Sequence, residues 1–306
     1  MNLPALPLAD GNTFFIDNSR FEAITKCHRH GEYVVARQRV SADEKSALIL
    51  GSAAHLALKY RYAKFNGNEM DEESMTRQAM LIDKFYEKHE IPVTEYRTAG
   101  FCQALMDAYN KQWVREEFTF IPFGGQNLVE EPFTIPLGKV GDINIVWTGR
   151  VDGGIQFLDG QDNVYVLDHK TTSMGGEAYF SEYYTSSQMK GYVFSLQNIL
   201  KRKIKGVYIN ALFARKQTKT GKGFEFQRKR IDFSQELLDD WRLNTLQIIS
   251  DFIHDYKRGY FPMYTTQCIA KFGRCQFHDV CTMDPSSRME NLYSSQYKDD
   301  IWNPLH

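Results

Sequence analysis

Two acids and a lysine are spaced for chemistry on a phosphate. Asp152 ends the G-R-V-D stretch of one strand-like run, and Asp168 lies in the next, with Lys170 two residues beyond it. Residues i and i+2 of a strand share a face, so Asp168 and Lys170 project together, and Asp152 joins them from the neighbouring strand. Converging carboxylates repel one another unless a cation lies between them. Hard oxygen donors favour Mg2+ or Mn2+. Such an ion polarises a phosphoryl oxygen and lowers the pKa of bound water. A lysine beside it stabilises the charge that develops. The implied chemistry is phosphodiester hydrolysis.

Cysteine is the second residue type of interest. Cys268, Cys275 and Cys281 follow one another as C-x6-C-x5-C, and Cys27 stands far upstream. Five cysteines is an odd number, and the spacing is not that of a small disulfide scaffold. In a reducing compartment clustered cysteines bind metal or do chemistry. Four thiolates suit a 4Fe-4S cluster. Zinc is the rival occupant, because His28, His30 and His278 lie near these cysteines in sequence and zinc accepts mixed ligands. The fifth, Cys102, sits in the helical pattern AGFCQALMDAY and reads as a core thiol.

The elements that carry these residues follow from patterning. Residues 1–20 read as an irregular lead-in. Ser41-x-x-Glu44 has the form of a capping box, and a helix is expected over about 42–64, where Gly51 marks a close approach or a kink. Two amphipathic helices follow, over Asp71–His89 and Glu95–Glu117. From about residue 127, β-branched residues predict three strands, NLVEEPFTI, INIVWTGRVDGGIQF and NVYVLDHKT, the last two joined by a turn at Asp159–Asn163. A helix is expected over 178–202, then two strands around a turn at 217–223, then a helix over about 234–258. Residues 259–285 have no period, and the tail to 306 reads as extended. The order predicts a mixed α/β fold, a sheet covered by helices.

The ordered motifs bear a resemblance. Gly149-Arg-Val-Asp152, then Asp168-His-Lys-Thr171, is similar to the PD-(D/E)XK nuclease superfamily, in particular its RecB-like branch. The resemblance implies a restriction-endonuclease-like core, with a mixed central sheet flanked by helices. It divides the chain into a helical part (1–120, with Cys27 and His55), a nuclease core (121–258) and a cysteine-rich cluster region with its tail (259–306). It implies that His55, in Gly51-x-x-x-His55, reaches the metal together with Asp152, Asp168, His169 and Glu130. Catalytic roles fall on Asp152, Asp168, Lys170, Gln188 and Tyr192, the last two from a Q-x-x-x-Y helix. Cys27, Cys268, Cys275 and Cys281 correspond to the cluster ligands of CRISPR-associated and AddB-type iron–sulfur exonucleases, although C-x6-C replaces the usual C-x2-C.

The expected activity is Mg2+- or Mn2+-dependent hydrolysis of DNA, by an exonuclease on single-stranded or end-exposed substrate. The alternatives are a non-catalytic DNA-binding or recombination partner on the same fold, and a structure-specific endonuclease. The formal net charge of -1 does not advertise nucleic-acid binding, so DNA attraction must be local. Arg215, Lys216, Lys219, Lys222, Arg228, Lys229 and Arg230, after Lys201, Arg202, Lys203 and Lys205, form a basic patch in the sequence. Tyr179, Phe180, Tyr183 and Tyr184 are stacking candidates. No apolar run reaches membrane-span length, and the first residues lack signal-peptide features. A soluble, cytoplasmic protein is expected.

Overall fold

The computed structural model describes residues 6–43, 45–63, 70–216, 223–270 and 273–303. Along the chain, strand β1 (Thr13–Ile16) buries Phe14 and Ile16 completely. Helix α1 (Asn18–Lys26) starts where the Asp17 carboxylate accepts the Arg20 amide at 2.8 Å. The described part of the lead-in therefore holds a strand and the start of a helix, because a side-chain cap starts the helix there. Helix α2 (Ser46–Ala63) buries Leu50, Ala53, Ala54, Ala57, Leu58, Arg61 and Tyr62 at helical spacing. The Ser41 half of the capping box lies in a short strand, and Glu44 is outside the described residues. Asp71 and Thr98 cap α3 (Glu72–Tyr86) and α4 (Ala99–Gln112).

The strands are β2 (Phe118–Phe120), β3 (Val129–Val140), β4 (Ile143–Phe157) and β5 (Val164–Thr172). The helix expected over 178–202 is broken: Glu177–Ser181 is a short turn of helix, and Ser186 caps a new one, α5 (Ser187–Leu200). Then come β6 (Gly206–Phe213), β7 (Glu225–Asp232) and α6 (Gln235–Arg258). Most of the 217–223 turn, with Lys219 and Lys222, lies outside the described residues. The tail is partly regular: Arg288–Leu292 is helical, and Tyr297–Asp299 pairs antiparallel with Arg39–Ser41.

The chain groups into two compact units, neither a consecutive stretch. One comprises Met1–Glu44, Pro132–Gly149 and Gln235–His306; the other comprises Lys45–Glu131 and Arg150–Ser234. In the first, β1 runs parallel to the start of β4, with Phe14 opposite Ile145. Trp147 packs edge-on between Phe21 and Trp241, at 5.7 and 5.4 Å.

The second unit holds a mixed sheet. The end of β4 pairs antiparallel with β2 and with β5, β5 runs parallel to β6, and β6 is antiparallel to β7. Ile155, Tyr165, Leu167, Tyr208, Leu212 and Phe226 of the sheet form one core with Leu50, Ala54 and Leu58 of α2, Ile82 of α3, and Leu105 and Tyr109 of α4. Helix α5 packs on β5 and β6 and buries Met189, Val193 and Leu196. The mixed α/β class, a sheet flanked by helices, is the one expected.

Candidate active site

The candidate residues His55, Glu130, Asp152, Asp168, His169, Lys170, Gln188 and Tyr192 all belong to the second unit. Helix α2 supplies His55, β3 supplies Glu130, β4 supplies Asp152, and β5 supplies Asp168, His169 and Lys170. A cavity of about 620 Å3 is lined by His55, Glu130, Asp152, His169 and Lys170, with Gly51, Lys59 and Arg150 at its wall. A Cβ added at Gly51 would meet nothing within 4 Å. The glycine expected to mark close packing or a kink instead leaves the cavity open beside an unbroken helix.

One ligand atom from each of His55, Glu130 and Asp152 lies within 4.8 Å of the others. His55 Nδ1 is 3.5 Å from Asp152 Oδ2 and 3.9 Å from Glu130 Oε1. Glu130 adopts φ 53°, a left-handed backbone that costs a non-glycine residue about 1–3 kcal/mol. Its carboxylate is also 3.7 Å from Arg150 Nη1. Asp152 Oδ2 accepts the His169 backbone N–H at 2.7 Å, which ties β4 to β5 at the site.

Asp168 is outside that group of three. Lys170 Nζ lies 2.8 Å from both of its oxygens, donating to Oδ1. Oδ2 is fully buried and has no aligned donor, so it meets the Lys170 ammonium as an ion pair and not through a directed hydrogen bond. On α5, Gln188 Nε2 donates to Tyr192 Oη at 3.0 Å. Burial first, and then the charges of Asp152 and Asp168, hold the Tyr192 hydroxyl well above its ordinary range.

The environment drives the two carboxyls apart. Burial alone would raise Asp152, but the His55 imidazole and the charges of His169 and Lys170 outweigh it and hold the group well below the carboxylate range. Burial pushes Asp168 up to about 6, with Lys170 opposing and Asp152 reinforcing. Burial would lower His55, yet Asp152 and Glu130 raise it to about 10. His169 is pushed down to about 3, chiefly by burial. Carboxylates converging beside an imidazole fit a divalent cation with mixed oxygen and nitrogen ligands.

Sequence reasoning missed the buried polar row behind this site. His169 on β5, Asn210 on β6 and Arg228 on β7 are cross-strand neighbours. Arg228 Nη1 meets Glu116 Oε2 at 2.5 Å, and Arg228 Nε donates to Asn210 Oδ1 at 3.0 Å. The signal was Asn210 itself, a polar residue in the middle of GVYINALF, a strand buried along its whole length.

Five members of the basic run have acidic partners. Arg228 is interior, Arg230 pairs with Asp159 and stacks 3.4 Å over Phe157, and Arg215 pairs with Glu225. Arg202 pairs with Asp162, and Lys205 with Asp232. Tyr179, Phe180 and Tyr183 are buried core residues, and only Tyr184 of that set is exposed. Their side chains meet carboxylates or apolar neighbours, contacts that composition does not reveal.

In the first unit, Cys27, Cys268, Cys275 and Cys281 line one small cavity with His30, Tyr264, Phe277 and His278. Cys27 Sγ accepts the Tyr264 N–H at 3.3 Å, and the Cys275 N–H donates to the Cys268 carbonyl at 2.9 Å. Burial pushes the Cys281 thiol up to about 11. All four cysteines thus border the same cavity. Cys102, in contrast, is fully buried in the second unit's core, with its thiol pushed up to about 12 by burial.

Among the described residues, no helix is long and apolar enough to cross a membrane. No curated protein matches the sequence. The solved structures it is similar to include a candidate exonuclease from Eubacterium rectale (13% identity, 92% of this chain and 93% of that one, TM-score 0.48) and the protein designated SSO0001 (12% identity, 77% and 85%, TM-score 0.29). The sequence profile of the PD-(D/E)XK nuclease superfamily matches residues 18–282.

Proposed function

Because the chain belongs to the PD-(D/E)XK nuclease superfamily, we propose that it is a divalent-cation-dependent deoxyribonuclease of the RecB-like kind. Its substrate is single-stranded or end-exposed DNA, and its mode is exonucleolytic. The observation that carries this reading is the grouping of His55, Glu130 and Asp152 at one cavity that is also lined by Lys170, the ion-pair partner of the buried Asp168. A Mg2+ or Mn2+ ion held there by His55, Glu130, Asp152 and Asp168 would supply Lewis-acid polarisation of the phosphate and an acidified water.

The chain's own residues do the rest. Lys170 brings a fixed positive charge to Asp168 and to the developing phosphorane charge. The backbone of His169, through its N–H, holds the Asp152 carboxylate in place. Gln188 orients the Tyr192 hydroxyl from α5, and both serve the substrate side of the site. The His169 ring lines the cavity beside the metal neighbourhood and is not counted among the ligands in this reading.

Cys27, Cys268, Cys275 and Cys281 hold a 4Fe-4S cluster in this reading, with zinc as the rival occupant. Support comes from the four cysteines lining one cavity. The role is structural.

The test is incubation of purified protein with Mn2+ and labelled single-stranded, duplex and flap DNA. Progressive shortening of single strands from an end is the expected result. Binding without cleavage would favour a non-catalytic partner, and cuts confined to flaps would favour a structure-specific endonuclease.

A further inference from the structure

The row His169–Asn210–Arg228 carries information about a proton. The Arg228 guanidinium is only a donor, and it is fixed by Glu116 at two points, 2.5 and 3.1 Å, and by the Trp113 ring 3.6 Å below it. Its Nε donates to Asn210 at 3.0 Å, so the atom of Asn210 facing it must be the carbonyl oxygen. The amide nitrogen then faces the Tyr109 hydroxyl at 2.9 Å and His169 Nδ1 at 2.7 Å. Turning the amide over would set its NH2 against the Arg228 N–H, two donors face to face.

An NH2 can only donate, so His169 Nδ1 must accept. The ring's proton therefore sits on Nε2. The remaining hydroxyls close the circuit. Tyr109 accepts from Arg228 at 2.8 Å, Tyr109 and Tyr62 share a 2.6 Å bond, and Tyr62 donates to Glu116 at 2.9 Å. The Tyr62 ring lies parallel to the imidazole, with centroids 5.5 Å apart and planes 5° off, and fixes its tilt. His169 itself lines the cavity that holds His55, Asp152 and Lys170.

We propose that Asn210, oriented by Arg228, is a positioning residue that keeps His169 in the Nε2–H tautomer, so that the cavity wall offers a neutral hydrogen-bond donor to a phosphate oxygen. This rests on the nuclease reading above. A neutral donor suits that place. It attracts a phosphate without repelling the cation that the neighbouring acids would hold. It also leaves no ring lone pair to compete with His55 for that cation. The Asn210 side chain acts only through His169.

The test uses full-length protein labelled with 15N in its histidines, at neutral pH. The nitrogen spectrum should show His169 as a single species with its proton on Nε2. Asn210→Leu should release that preference. It should also lower kcat/KM for Mn2+-dependent cleavage of single-stranded DNA by about 10–100-fold, the usual effect of losing a group that orients an active-site histidine. His169→Phe keeps the stack on Tyr62, removes the donor, and should lose the same factor. Should Asn210→Leu fail to fold, the wild-type spectrum and His169→Phe still decide. A proton on Nδ1, a doubly protonated ring, or a wild-type rate in His169→Phe would overturn the proposal. A protein that cleaves no substrate would overturn the nuclease reading and its catalytic consequence, while the spectrum would still decide the positioning.

Discussion

At Asp152 and Asp168 the same side chain shifts in opposite directions, because burial is outweighed by the imidazole and its neighbouring charges at the first and outweighs the lysine at the second. Removing a preorganised charge from such a site costs about 10²–10³ in rate. Asp152→Asn and Lys170→Ala should each show that loss in a Mn2+-dependent cleavage assay, and a folded variant at wild-type rate would remove that residue from the site. His55 admits a separate check. As a ligand it should matter to metal more than to folding, so His55→Ala should weaken Mn2+ binding in calorimetric titration by at least about 10-fold while its thermal midpoint stays near wild type. A stability loss with unchanged Mn2+ affinity would mark a packing histidine instead. The acids and Lys170 were legible because G-R-x-D and D-x-K are local patterns. Asn210 and Arg228 were not, because their partners Glu116, Tyr109 and His169 arrive from distant chain positions. Arg228 looks like a surface cation in sequence, since nothing local to it announces an interior carboxylate.

Strands and helices were more visible than their registers. The β-branched runs 143–157 and 163–171 and the helical spacing in 46–63 were enough to find β4, β5 and α2. The break before Ser186 was missed because the aromatic pairs 179–180 and 183–184 keep a helical spacing up to it, and only the serine cap marks the restart. Two glycines show why a glycine's meaning needs the fold. At Gly206 an added Cβ would stand 1.9 Å from the Ile231 carbonyl oxygen, whereas at Gly51 it would meet nothing. Gly206→Ala must push β6 from β7 and should cost about 1–3 kcal/mol in denaturant unfolding. Gly51→Ala adds helix propensity in open space and should raise stability by about 0.5–1 kcal/mol. The reverse order of the two would show that these local spaces do not govern the elements. The β7-to-β2 region is joined by the buried Arg228–Glu116 pair. Glu116→Ala leaves that guanidinium without its counter-charge, and an expected loss of about 3–5 kcal/mol is measurable by the same unfolding.

For the whole molecule, the decisive contacts are those between chain ends. Cys27 and Cys268 line one cavity although 241 positions separate them (268 minus 27). A cross-link over that distance removes about 5 kcal/mol of chain entropy from the unfolded state by the loop-closure relation. Anaerobically purified protein should be brown, absorbing broadly near ~400 nm as thiolate-bound clusters do. Cys27→Ser and Cys275→Ser should bleach it and lower its thermal midpoint, and Cys102→Ser should keep the colour. One equivalent of zinc in a colourless protein would replace the cluster and keep the cross-link; a metal-free protein of full stability would remove both. The cysteine spacing was visible in sequence, but the assembly of the units from alternating segments was not, because it lies in long-range packing. That alternation has a consequence during translation. Every segment of the unit bearing the acids has emerged once Ser234 leaves the ribosome, but the wall around Cys27 waits for Cys281. The nascent protein thus has the parts of its acid-lined cavity well before those of the cysteine-lined one, whose completion is the later event in its biogenesis.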